Sequence, residues 1–405
     1  MCCSYNTPEC ILIITLIFLF NKKPIEKNEQ YPLHSIVQTS FKKYILNADM
    51  PKVIEKLKSG LDELSIKEKR RRGCCMDFPV DIVYLWSSGS ETRLRLFQDY
   101  VSKEKSKEIA KCEQNFSLAR VLQNDEIKYA LRSIAKNMNW VRNIYIIIDD
   151  NEYPQWLNIS NSRIKLVNTS DIIDKQYLPV FNSNLIEGNV YKIKGLSEQF
   201  LMSCDDCLVM LPTDKNFFFD EYKRPIYRIK PYESRKDNPY KLHINFCNQM
   251  AYLATGKEWP DLVTTYHGIQ PHSLKSITKT ITNSFLTPYY KLMLSHRFRK
   301  TTDMDHLLFA LVGESRGEYW VKHSAIHEYI KSKSKEQNWI KNVDWTGDIR
   351  MIINKDIHWY KKINGVRQIS IDAYDKNDIT GLESYNEIQK HFMNEWFPEK
   401  SEFEI

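Results

Sequence analysis

Apolar positions along this chain come in two spacings, and each spacing predicts a different kind of element. The segment "PVDIVYLW" is β-branched and aromatic almost without a break and runs into "SSGS", which predicts a buried strand over 79–86 followed by a turn. In "NDEIKYALRSIAKNMNW" the apolar residues recur at helical spacing, with Ile127, Leu131, Ile134 and Met138 on one stripe and Asn124 or Asp125 as the N-cap. "NIYIIIDD" then reads as a buried strand ending in two acids, and "RIKLVN" as another strand. "EQFLMSCDDCLVML" predicts one more buried strand, which breaks at Asp205-Asp206 and resumes. Strands this continuously apolar need cover on both faces, so the pattern predicts an α/β sheet with helices on either side.

The later segments are patterned more weakly. "NFFFDEYKRPIYRIKPYESR" gives a strand and a loop, and "LHINFCNQMAYLATG" a helix that ends at Gly256. His267 falls in a loop before Pro271 with a helix beyond, and Arg297 and Arg299 stand just ahead of the apolar helix of "DMDHLLFALV". "ISIDAYD" predicts a strand and "YNEIQKHFMNEWFPEK" a helix that stops at Pro398, so the C-terminal part is expected to be helical. Residues 24–76 are lysine-rich, with "MPKVIEKLKSGLDEL" as their one good helix, and read as a linker or stalk. The sharp change of pattern places one domain at 77–405.

At the start, "CILIITLIFLF" (residues 10–20) is uncharged and shorter than the roughly 20 residues a membrane span needs, so residues 1–23 read as a short anchor or a signal-like segment. Sequons at Asn115, Asn158 and Asn168 fit a lumenal setting, whereas Lys22 and Lys23 favour a cytoplasmic one. Topology therefore stays open: membrane association through residues 10–20, in the secretory pathway or Golgi lumen for a eukaryotic chain, in the cytoplasm for a bacterial one.

Composition narrows the function classes. With 405 residues, 42% of them hydrophobic, the chain can bury a large core in one big domain or two. A net charge of +7 is modest for this length and its densest basic run, "KEKRRR", reads as a solvated linker, so no nucleic-acid partner is expected. Such a surface suits a polyphosphate or anionic-sugar substrate. The nine cysteines are odd in number and include one CxxC without a second, so neither a disulfide framework nor a four-thiolate zinc site is implied.

That CxxC encloses the acid pair, and chemistry separates the readings. A redox CxxC normally opens a helix, where the dipole lowers a thiol pKa, but Cys204 and Cys207 have strand-like flanks. Two adjacent carboxylates in an apolar strand are costly unless a cation neutralises them, and hard carboxylate oxygens select Mg2+ or Mn2+. The plain alternative is a strand-end turn with both carboxylates solvated.

At this point the residues resemble the second conserved region of the Stealth family. "DEIKYALRSIAKNMNWVRNIYIIID", "PQWLN", "RIKLVNTSDII", "YLPVFNSNLIEGNV" and "IKGLSEQFLMSCDD" follow in the family's order between about Asp125 and Asp220. "VDIVYLWSSGSE" resembles its first region, "YHGIQPHSLK" with "HRFRKTTDMD" its third, and "EWFPEKSEFE" the end of its fourth. The family comprises sugar-1-phosphate transferases of bacterial capsules and the α/β subunit of the lysosomal N-acetylglucosamine-1-phosphotransferase. The resemblance implies a glycosyltransferase-A-like, Rossmann-like mixed sheet. It implies an enzyme passing a sugar-1-phosphate from a nucleotide-diphosphate sugar, of the UDP-GlcNAc type, to a hydroxyl of an acceptor glycan. Carried over by position, it implies Glu187, Asp206, His267 and Arg299 as catalytic; Asp205 and Asp206 are the expected ligands of Mg2+ or Mn2+, and Trp86, Ser88 and Arg132 the expected donor-side residues.

The residue types suit the chemistry: a guanidinium forks onto phosphoryl oxygens, and an imidazole accepts a proton near neutral pH. Glu187 remains open between a second base and a metal ligand. Departures from the family pattern are Ser88 for an acid or amide, Gly188-Asn189 for Ser-His, Cys204 for asparagine and "SIDAYD", with Asp372 or Asp375, for "LND". They leave altered donor choice and loss of activity both open. The alternatives are a non-catalytic Stealth-like glycan- or partner-binding protein, an ordinary nucleotide-sugar glycosyltransferase and, last, a redox protein.

Overall fold

A computed structural model describes residues 77–105, 121–232, 239–259, 262–323, 340–343, 368–371, 386, 389–390, 393–394 and 396–405. All of these belong to one compact unit, Arg72–Ile405. The expected anchor at 1–23, linker at 24–76, sequon at Asn115, and Asp372 and Asp375 lie outside the described residues.

The central sheet has five strands in the order β3-β2-β1-β4-β8. Strand β1 (Val80–Leu85) lies between β2 (Ile144–Ile148) and β4 (Gln199–Cys204), parallel to both, and β3 (Ile164–Asn168) continues the parallel set on the far side of β2. Strand β8 (Gln270–Ser273) closes the other edge antiparallel to β4. Successive side chains on a strand point to opposite faces, and both faces are filled. Ile82, Tyr84, Ile144, Ile146 and Leu201 join one apolar cluster, while Val83, Tyr145, Ile147, Phe200 and Met202 join a second. This is the α/β architecture the unbroken apolar strands predict.

Helices supply the cover. After β1, the turn at Gly89 adopts φ +64°, which suits a residue without Cβ, and leads into α1 (Glu91–Lys105). Helix α2 (Glu126–Asn137) buries Ile127, Leu131 and Ile134 against the first face, as its stripe predicts. Asp125 is its N-cap, but at φ 63° its side chain makes no capping bond, so the expected position holds without the expected chemistry. Short α3 (Thr169–Ile172) and α4 (Ser183–Glu187) lead from β3 towards β4. The second face carries α5 (Pro239–Thr255), α6 (Leu274–Ile281), α7 (Thr287–Met293) and α8 (His306–Ser315). Gly313 of α8 lies so close to its neighbours that a Cβ there would stand 2.5 Å from the Tyr319 ring and 2.6 Å from Ser276 Oγ.

Two expectations need correction. The chain does break at Asp205-Asp206, but the resumed strand β5 (Cys207–Val209) leaves the central sheet and pairs antiparallel with β11 (Gln368–Ile371), which also pairs with β10 (Ile340–Val343). A bond from Val209 N to Ser133 Oγ ties β5 to α2. His267 lies in the expected loop before Pro271, but Gln270–Ser273 add a strand that was not expected, β8, with Pro271 opposite Leu201; an edge strand tolerates the missing donor. A third small sheet joins β6 (Ile226–Pro231) to β7 (Val263–Thr265) and β9 (Trp320–His323). Of the C-terminal helix, residues 386, 389–390, 393–394 and 396 are described as helical.

Candidate active site

The strand order runs outward from β1 in both directions, to β2 and β3 on one side and to β4 on the other. The crevice at the carboxyl ends of β1 and β4 is therefore a topological switch point, where doubly wound sheets bind ligands. Leu85 pairs with Cys204, so the turn after β1 and the turn at Asp205-Asp206 leave the sheet side by side. Trp86 and Ser88 follow in the first of these turns.

The carboxylates there are crowded. Burial pushes the Asp205 carboxyl well above its usual range, and the charges of Glu126 and Asp206 push it further. Burial likewise raises Glu126, against a backbone N–H from Asn124, with Asp206 adding to the rise. A divalent cation would relieve this repulsion, and the oxygen donors suit Mg2+ or Mn2+, so Asp205 and Asp206 fit the ion the resemblance implies.

A later segment converges on the same turn. Ser370 Oγ, on β11, lies 3.1 Å from Asp206 Oδ2 and 2.6 Å from His267 Nδ1. One hydroxyl has one proton, so if it donates to Asp206 it must accept from His267 Nδ1–H. The single sequence of bonds His267, Ser370, Asp206 then defines the imidazole tautomer. Ligand atoms of Cys204, Asp206 and His267 all lie within 4.8 Å of one another. Cys207 Sγ donates to Asp206 Oδ1 at 3.5 Å. Both thiols are free and burial raises both, the opposite of what a redox pair needs.

Glu187 and Arg299 stand at opposite ends of one short helix. Glu187 ends α4 and its Oε2 is 3.0 Å from His306 Nδ1, the first residue of α8. Burial opposes charging of His306, but the bond and charge of Glu187, helped by Asp305, win and raise its pKa. Arg299 reaches the other end of α4, donating to Ser183 Oγ. The two halves sense each other: the Glu187 charge contributes to the rise of the Cys204 thiol, and His267 counts against charging of His306.

Of the expected donor-side residues, Trp86 is buried with its indole Nε1 lacking an acceptor among the described residues, and Ser88 Oγ accepts from Ser90 N at 3.2 Å, shaping the turn. Arg132 is elsewhere. Its Nε and Nη2 form a bidentate pair with Glu404 at 2.8 and 2.7 Å and its Nη1 donates to Phe397 O, so it clamps the chain's last residues. Sequence reasoning missed Glu126, Ser370 and His306. Glu126 looks like an ordinary first-turn acid, Ser370 like a strand residue and His306 like the start of an apolar helix, and only their partners, distant in sequence, mark them.

The model of Stealth protein conserved region 2 matches residues 120–226. The capsular polysaccharide phosphotransferase fcs1 of Haemophilus influenzae is 33% identical over 206 residues, 50% of this chain and 49% of that protein. A capsular polysaccharide phosphotransferase of Neisseria meningitidis serogroup B is 38% identical over 150 residues, 36% of this chain and 38% of that one. The chain thus spans about half, or less, of the length of the curated relatives it matches. Mouse xyloside xylosyltransferase 1 overlays on 72% of this chain and 97% of its own at 10% identity, with a TM-score of 0.37 that carries no argument. The matched segment contains β1's partner β2, the acid pair and Glu187, and it is over this second conserved region that the chain is similar to the Stealth family.

Proposed function

We propose that this protein transfers a sugar-1-phosphate from a nucleotide-diphosphate sugar to a hydroxyl of an acceptor glycan. The observation that carries this reading is the convergence of Asp206, Ser370 and His267 at the switch point, within a fold whose matched relatives are named phosphotransferases. In the reaction, the acceptor oxygen attacks the sugar-bearing phosphorus, the bond from that phosphorus to the bridging oxygen breaks, and the nucleoside monophosphate leaves. The product is a phosphodiester.

Each residue has a task set by its place. His267, with Nδ1 held by Ser370, takes the hydroxyl proton at Nε2. Asp205 and Asp206 would hold Mg2+ or Mn2+, which when bound neutralises diphosphate charge. Arg299 binds the oxygens of the moving phosphoryl group, and Ser183 orients its guanidinium. Glu187, bonded to His306, orients the acceptor side of the cleft rather than serving as a metal ligand. Trp86 offers its unpartnered indole N–H and ring edge to the donor.

The test is the nucleotide product. Incubated with UDP-sugars, Mn2+ and a glycan acceptor, the protein should release UMP, and His267→Ala should stop the release. Release of UDP would instead indicate ordinary glycosyl transfer, and no turnover with any nucleotide sugar would favour the non-catalytic alternative.

A further inference from the structure

Among the described residues, a second group of metal-ligand type lies apart from the acid pair. His243 and Cys247 are one helical turn apart on the same face of α5, and Asp305 is the N-cap of α8, which packs against it. All three are buried, at 8%, 0% and 5% exposure. The His243 Nε2 to Asp305 Oδ2 distance is 2.9 Å and the Cys247 Sγ to His243 Nε2 distance 3.9 Å. A fourth donor atom, the carbonyl oxygen of Asp303, is 3.7 Å from the same sulfur.

We propose that His243, Cys247 and Asp305, closed by the Asp303 carbonyl, form a structural zinc site that pins the start of α8 to α5. Zinc–ligand bonds of roughly 2.0–2.3 Å place the corners of a tetrahedron about 3.3–3.8 Å apart, so these three separations need to change by less than about half an ångström. Ligand chemistry agrees. A thiolate, an imidazole and a carboxylate select zinc over Mg2+ or Mn2+. Charge agrees as well: Zn2+ with one thiolate, one carboxylate and neutral imidazole sums to zero, which a buried site requires. Binding releases the thiol proton and leaves Asp305 Oδ1 in place as the acceptor from Leu308 N, so the helix cap survives.

The consequence reaches the cleft. His306 follows Asp305 directly and is the residue that holds Glu187, so a metal clamp on Asp305 sets where Glu187 is anchored. Without metal, the same residues form only a capped helix with an imidazole–carboxylate bond and a thiol that packs.

The experiment measures metal in the full chain, produced with zinc in the medium and dialysed against a weak chelator. Elemental analysis should find about one zinc per chain in the wild type and in Cys204→Ser, and almost none in Cys247→Ser. No retained zinc in the wild type overturns the proposal, and so does zinc lost from Cys204→Ser but kept by Cys247→Ser, which would put it at Asp206. Should Cys247→Ser fail to fold, Co2+ loaded into the Cys204→Ser chain decides. Thiolate-to-cobalt charge transfer with intense tetrahedral d–d bands supports the site, and their absence overturns it.

Discussion

The central sheet carries an acid near each end, and the two are treated in opposite ways. At the amino end of β1, Asp81 is fully buried, yet Arg142 grips it through Nε at 2.8 Å and Nη2 at 2.5 Å, while the backbone amides of Asn143 and Ser197 donate to it at 3.1 and 2.8 Å. At the carboxyl end of β4, Asp205 and Asp206 face Glu126, and burial and like charge raise the carboxyl of Asp205. A buried charge that is fully bonded has no capacity left for a ligand. One that is crowded by its own kind keeps that capacity, at a cost in stability. The first end holds the fold, and the second keeps the capacity that the proposed cation and diphosphate need.

Substitutions can break that contrast. Asp206→Asn should lower transfer by about 10^3-fold, a loss of the size seen when transition-state charge goes unstabilised, with no loss of stability. Parallel kinetics and urea melts check both halves. Asp81→Ala should do the reverse, costing about 3 kcal/mol in a urea melt while leaving donor affinity unchanged, because it takes the acceptor from the buried Ser197 amide and the half-buried Asn143 amide. Weaker but of the same kind, Arg132→Ala should cost about 2 kcal/mol and leave donor affinity intact. Although burial acts to raise Glu404, Arg132 and the Ser401 amide hold it below its usual range, so this stability is present above the ordinary carboxylate pKa and disappears as pH falls. The variant should lose that acid limb of the stability curve. Ser370→Ala should slow transfer about 10-fold and alter its pH profile, with Ser370→Thr restoring both, since a second-layer hydroxyl orients His267. Smallest of all, Asp205→Asn should leave stability unchanged or raise it by about 0.5 kcal/mol, because a like charge is removed from a crowded site.

How much of this was legible in the sequence follows from what periodicity can encode. Strands β1 to β4 and helix α2 announce themselves because both faces of the sheet demand apolar residues. The fate of the chain after Asp206 does not, since the turn that redirects β5 to β11 depends on a partner more than 150 residues away. Strand β8 hid behind Pro271, which is tolerated because β8 is the edge of the sheet among the described residues. At the site, Asp205, Asp206 and His267 could be singled out by type and family resemblance. Ser370 and Glu126 could not, because a lone hydroxyl and a first-turn acid have no distinctive spacing. Arg132 shows the complementary case: a helix arginine inside the family-like segment turns to Glu404.

The most direct measurement is Mn2+ binding to the full chain by electron paramagnetic resonance, with and without UDP as the diphosphate. The account predicts that the wild type binds Mn2+, that UDP tightens the binding, and that the Asp205→Asn, Asp206→Asn double variant, folded by circular dichroism, shows neither effect. Equal Mn2+ affinity in the two proteins, with no response to UDP, would contradict it.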